Sequence, residues 1–247
     1  MLLANKTVVV TGCNRGIGRE ILETFSSHGA KIYACVRNLD KNFIDLIEKL
    51  KSNYKNEIIP IKLDLLNEES VKEAATNILS DKSEIDILIN NAGMIHTALF
   101  QMTSIQKLKE VFQVNFFSQA IFTQYILKPM IKKKNGSIIY ISSTSALDGN
   151  EGRSAYSASK AAILSQVKTL ARELGVLNIR VNAIAPGLTQ TDMMKNNTSD
   201  VTINKYISST FLKKVGDPKD IAELALFLSL NKSKHISGQV IRVDGGF

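Results

Sequence analysis

The chain has 247 residues, a net charge of +8, 44% hydrophobic and 22% charged residues, a composition that suits one sizeable globular core and excludes a disordered chain. Met1–Lys6 lacks the apolar stretch of a signal peptide, no segment is long and apolar enough to cross a bilayer, and Cys13 and Cys35 make no disulfide framework; a reducing cytoplasm is the expected compartment. The lysines are scattered, with one cluster at Lys132-Lys133-Lys134, so the charge predicts a solvated surface that draws anionic ligands, not a specific nucleic-acid partner.

In chain order, apolar runs predict strands at Thr7–Thr11, Lys31–Val36, Ile58–Leu63, Ile85–Asn90, Ser137–Ser142, Arg180–Ala185 and Gln239–Val243. Amphipathic stretches predict helices at Gly16–Ser27, Asn42–Ser52, Glu68–Leu79, Ser104–Lys133, Ala155–Leu174 and Pro218–Leu230. The alternation argues for an α/β, doubly wound (Rossmann-type) parallel sheet of seven strands, helices on both faces, in a single domain spanning residues 1–247. Unbroken runs such as Val8-Val9-Val10 suit strands buried on both sides. In such sheets ligands bind beyond the carboxyl ends of the strands, where strand order reverses.

The first strand is followed by Thr11-Gly12-Cys13-Asn14-Arg15-Gly16-Ile17-Gly18 and a helix. Glycines admit a pyrophosphate close to the backbone, and the helix N-terminus offers free N–H groups. The bland reading is a tight turn; three glycines directly after a buried strand favour a dinucleotide loop. The second strand ends in Cys35-Val36-Arg37-Asn38. Val36 fills the slot where an acidic residue would bind an adenosine 2′-hydroxyl, and Arg37 with Arg15 could grip a 2′-phosphate, so NADP(H) is the expected cofactor. Asp64 and Leu65 follow the third strand as candidate adenine contacts, and Asn91, Ala92 and Gly93 follow the fourth. Tyr156 and Lys160 share a helix face one turn apart, and an ammonium near a phenol lowers its pKa toward working range. Ser143 lies thirteen residues earlier. No metal site is expected.

Taken together, Thr11–Gly18, Asn90–Gly93, Asn115, Ser143, Tyr156, Lys160 and the run Pro186-Gly187-Leu188-Thr189-Gln190-Thr191 resemble the single-domain short-chain dehydrogenase/reductase family, through to Val243-Asp244-Gly245-Gly246. The resemblance implies that Tyr156 donates the proton and Lys160 binds the nicotinamide ribose and depresses the phenol. It further implies that Ser143 holds the substrate oxygen and that Asn115, inside a helix, holds a water. Pro186, Gly187, Thr189 and Thr191 would contact the carboxamide and phosphates, and residues from about 189 to 212 would form a mobile substrate lid. The Tyr-to-Lys spacing separates the chain from enoyl reductases of the same fold.

Within the family, Gly149–Tyr156 is similar to the loop of 3-oxoacyl-[acyl-carrier-protein] reductases, which implies a thioester substrate, fatty acid biosynthesis, an acyl carrier protein as partner and a homotetramer. Arg153-Ser154-Ala155 replaces the usual Gln-x-Asn, and Leu177 stands where a basic docking residue is usual; Lys134 matches a second docking position. A reductase of a sugar, polyol or other metabolite ketone is the alternative. A non-catalytic NADP(H)-binding sensor is the alternative from another class.

Overall fold

A computed structural model describes residues 1–247. Seven parallel strands form one sheet in the order β3-β2-β1-β4-β5-β6-β7. They are β1 Thr7–Thr11, β2 Lys31–Val36, β3 Ile58–Lys62, β4 Ile87–Asn90, β5 Gly136–Ile141, β6 Ile179–Pro186 and β7 Val240–Val243. The order reverses between β1 and β4, which opens a crevice at their carboxyl ends. Successive residues of a strand face opposite ways, so Val8 and Val10 enter one core with Ile21 and Phe25 of helix α1 (Gly16–Ser27). Val9 enters the other, against Val71 and Ile78 of α3 (Glu68–Ser80). Helix α2 (Lys41–Tyr54) packs on the α1 face. It starts where it does because the Asp40 carboxylate accepts from Phe43 N at 2.9 Å.

The expected long helix Ser104–Lys133 is three pieces. Helix α4 (Ile105–Phe112) passes through a π-helical turn at Gln113–Phe117 into α5 (Ser118–Lys133). The turn widens the helix at Asn115, whose amide is bound on both sides by neighbouring elements; an extra residue in a helix frequently marks a functional position. β4 starts two residues later than the sequence suggests, because its pairing with β1 begins at Val8 opposite Ile87.

A short α6 (Ser145–Asp148) precedes the long α7 (Ser154–Leu174), which crosses the second core with Ile163 and Val167. The polar stretch after β6 folds into two helices, α8 (Asp192–Asn197) and α9 (Asp200–Ser209). Thr191 caps the first through Met194 N at 3.2 Å, and Ser199 the second through Thr202 N at 3.3 Å. Helix α10 (Pro218–Ser229) opens on a reciprocal Asp217–Asp220 cap and closes the first core with Ile221 and Ala225. No helix is long and apolar enough to cross a membrane.

Candidate active site

Tyr156 and Lys160 stand one turn apart on the buried side of α7, 8% and 3% exposed. Beneath them the end of β5 is tied in two directions. Ser142 N donates to Ile184 O at 2.7 Å, and Ser142 Oγ to the Lys160 carbonyl at 3.1 Å. This fixes Ser143, 8% exposed, at the carboxyl end of the strand, where its Oγ accepts from Ser145 N at 3.1 Å.

Lys160 Nζ donates to Ile141 O at 2.8 Å and lies 6.0 Å from the centre of the Tyr156 ring. Burial draws its pKa down to about 8. Tyr156 moves the other way. Burial pushes the phenol up, opposed by the Ser143 hydroxyl and then by the charge of Arg153. Desolvation dominates at the phenol, the Lys160 ammonium donates to the Ile141 carbonyl, and the groups that oppose burial are the Ser143 hydroxyl and the Arg153 charge.

Asn115, fully buried, is held by three bonds. Its Oδ1 accepts from Met94 N at 2.8 Å, and its Nδ2 donates to Met94 O and to Ser159 Oγ, both at 2.9 Å. The π-turn thus clamps the strand-end loop to the neighbour of Lys160. A Cβ on Gly93 would sit 3.3 Å from both Asn115 Oδ1 and Lys160 Nζ, close enough that these two side chains would have to shift by a few tenths of an ångström to admit it.

The glycine loop packs on the same strand end. Gly12 has φ +69°, and a Cβ there would lie 2.8 Å from Ala92 Cα. Asn91 Nδ2 donates to Thr11 O at 2.9 Å and Gly12 O at 3.0 Å, which spends its side chain on bracing the loop. Helix α1 begins without a side-chain cap on Arg15 and without an acid in its first turn. The N–H groups of Gly16, Ile17 and Gly18 are consequently free of intrahelical partners, a ready anion site. Asn14, Arg15 and Arg37 are exposed around it, and Val36 is buried with no acid in its place. This donor set fits a dinucleotide carrying an additional phosphate.

Asp64 is half-buried, and its Oδ1 accepts from Leu66 N at 3.0 Å. The Leu65 side chain belongs to the second core and its carbonyl accepts from Ser118 Oγ at 2.6 Å, where the segment turns inward to meet α5. Pro186 ends β6, and Gly187 sits against Asp244 and the Tyr206 hydroxyl, leaving no room for a side chain. Thr189 is buried and bonds Gly187 O at 3.0 Å, while Thr191 touches Gly16 with its methyl and caps α8. Leu177 is partly buried against the second core, and Lys134 ends α5 near the amino end of the sheet, away from Tyr156.

Four residues outside the predicted set join the site. Thr11 Oγ1 accepts from Asn91 N and Ala92 N, both at 3.0 Å, and Gln119 Nε2 donates to Ala92 O at 2.5 Å. Tyr206 OH donates to Asp244 O at 2.8 Å, and Arg153 bridges Thr97 and Asn197. Thr11 opened the glycine-loop motif and Arg153 departed from the usual residue before the tyrosine; Gln119 and Tyr206 had no visible signal.

A family model described as enoyl-(acyl carrier protein) reductase matches residues 12–247. The chain is 38% identical to the 3-oxoacyl-[acyl-carrier-protein] reductase of Chlamydia muridarum, over 99% of this chain and 98% of that protein. Among solved structures, the 3-oxoacyl-[acyl-carrier protein] reductase of Brucella melitensis superposes with a TM-score of 0.92 at 26% identity, covering 100% of this chain and 92% of the other. A 7α-hydroxysteroid dehydrogenase complexed with NADH and 7-oxo glycochenodeoxycholic acid superposes with a TM-score of 0.92 at 32% identity, covering 99% and 94%. With the buried tyrosine–lysine pair and the glycine loop on the same strand ends, these likenesses identify an oxidoreductase: the chain belongs to the short-chain dehydrogenase/reductase family.

Proposed function

We propose that the chain is an NADPH-dependent reductase of a 3-oxoacyl thioester, with Tyr156 as its proton donor. The observation that carries this reading is the burial of Ser143, Tyr156 and Lys160 together at the carboxyl end of β5. NADPH supplies the hydride. Gly16, Ile17 and Gly18 bind its pyrophosphate through their N–H groups, and Arg15 and Arg37 take the 2′-phosphate. The Ser143 hydroxyl holds the ketone oxygen, and Tyr156 passes its phenolic proton to that oxygen. Burial, which raises the phenol's pKa, keeps it protonated at neutral pH and so loaded for reduction. Lys160, with a pKa of about 8, stays largely charged at that pH and binds the ribose hydroxyls. Asn115 holds α7 and the β4 loop in register through Ser159 and Met94.

The segment 189–212, with α8 and α9, is the substrate lid, and Met193 and Met194 give it an adaptable apolar wall. An acyl carrier protein brings the thioester, in the cytoplasm, to a homotetramer. The exposed Phe100 and Met102 ahead of α4, and Ile105 at its first position, support an assembly contact there.

A second reading, reduction of a steroid or other alicyclic ketone with NADH, is favoured by the structural neighbour that binds those molecules. Nucleotide oxidation measured with an acetoacetyl thioester and with a 7-oxo bile acid, using NADPH and NADH in parallel, separates the two. Tyr156→Phe lowers kcat about 10²- to 10⁴-fold and leaves NADPH binding, followed by nucleotide fluorescence, in place. Near-normal turnover of that variant would sink the proton-donor role. Tight binding without turnover in the parent protein would leave a sensor.

A further inference from the structure

Arg153 precedes α7 and breaks two local rules. A cation at a helix N-terminus opposes the helix dipole, and Arg153 occupies that cap with no side-chain capping bond. The guanidinium is also partly withdrawn from water, which draws its pKa down, yet its partners are neutral. Its Nη1 donates to Thr97 Oγ1 at 2.6 Å and its Nη2 to Asn197 O at 2.5 Å. Thr97 lies in the loop leaving β4, and Asn197 is the last residue of α8. At the end of α8 the same cation is favourable, since it satisfies an orphan carbonyl at the negative pole of that helix. One side chain thus joins the three segments around the phenol: the β4 loop, the start of the helix bearing Tyr156, and the lid. The loop and the approach to α7 already meet through Ala98 N and Gly152 O at 3.0 Å, so the new tie is to the lid.

We infer that Arg153 is a positioning residue for the reduction: by capping α8 it seats the lid, and in the seated state its charge is held against the Tyr156 phenol. The inference rests on the reading of Tyr156 as proton donor. Burial raises the phenol's pKa, and the Ser143 hydroxyl and the Arg153 charge lower it. Other titratable groups lie near α7: His96, the neighbour of Thr97, has a buried Nε2 without a hydrogen-bond partner, and Glu151 is exposed. Lys160 bonds Ile141 O at 2.8 Å, and Asp148 of α6 pairs with Arg242 at 2.7 Å. Glu110 of α4 pairs with Lys107 at 2.7 Å, Arg180 of β6 donates to Leu228 O at 2.7 Å, and Asp192 and Lys195 of α8 are exposed.

Two measurements test this. The first is the pH profile of kcat/KM for NADPH oxidation with an acetoacetyl thioester, in the parent protein and in Arg153→Gln and Arg153→Lys. Reduction needs the protonated phenol, so removing the positive charge moves the alkaline limb of Arg153→Gln upward by about half to one pH unit. Arg153→Lys keeps the limb near the parent's but raises KM, since an ammonium cannot span both acceptors. The second needs no substrate: trypsin cleavage after Lys195, read by mass spectrometry, is about fivefold faster in Arg153→Gln and in Thr97→Ala. An unmoved limb in Arg153→Gln, or cleavage as slow as in the parent, overturns the inference while leaving the proposed function intact. A Tyr156→Phe control that keeps its turnover overturns both.

Discussion

Two buried charge clusters, one beside each end of the sheet, are built in opposite ways. At the amino end, Asp86 is 5% exposed and receives Lys6 at 3.0 Å, Lys133 at 2.8 Å and Thr7 N at 2.9 Å, with Glu84 joining Lys133 at 2.7 Å. Burial pushes its carboxyl up, but Lys133, Thr7 and Lys6 overcome this and hold it below the usual range. At the carboxyl end, Lys160 has a single carbonyl and Arg153 a carbonyl and a hydroxyl, with no carboxylate for either. Both are pulled below their ordinary pKa. A buried charge with partners holds chain segments together, and one without them costs stability and sits ready to exchange protons or bind an anion. The fold is stapled around Asp86, and the two cations nearest Tyr156 are left without a carboxylate, where chemistry is proposed.

Three substitutions press on this contrast. Asp86→Ala leaves Thr7 N without its acceptor and Lys133 with only the exposed Glu84, and lowers stability by about 2–3 kcal/mol, read from urea midpoints. Because the folded carboxyl lies below its ordinary value of 3.8, the stability it provides is present above that pH and is lost as pH falls toward the folded pKa. The variant therefore shows a shallower acid limb, and a neutral Asp86→Ala would erase the contrast. Lys160→Met acts in the other direction. Its folded pKa of about 8 lies below the ordinary 10.5, so it costs stability below pH 8 and the cost fades as pH rises toward 10.5. The variant gains on the order of 1–3 kcal/mol at pH 7 and melts with a flatter profile across that window, while losing activity. Lys6→Ala has the smallest effect, about 0.5 kcal/mol, because Lys6 is 42% exposed and Asp86 retains Lys133.

The layout of strands and the positions of Tyr156, Lys160, Ser143 and the glycine loop were legible because each depends on local signals: apolar runs, one-turn spacing, glycines after a strand. The π-turn was not. Gln113-Val114-Asn115-Phe116-Phe117 continues the helical pattern without interruption, and what opens it is a set of bonds from Met94 and Ser159, distant in sequence. The tie of the Leu65 carbonyl to Ser118 was not legible either, because it joins residues 53 apart in the chain. Helices α8 and α9 had readable caps in Thr191 and Ser199, masked by the Asn/Thr/Ser-rich composition around them. The direction of the Tyr156 shift was invisible because burial depth is a property of the packed molecule.

The π-turn also constrains how the sequence can change. Each α-helical residue advances the chain by about 100° around the axis, so an extra residue carried as plain α-helix would rotate all of α5 and turn Phe122, Ile126 and Met130, all fully buried, out of the second core together. The widened turn absorbs that residue locally instead. Deleting one residue from Gln113–Phe117 would therefore leave the sixteen residues of α5 in register and cost the placement of Asn115 alone.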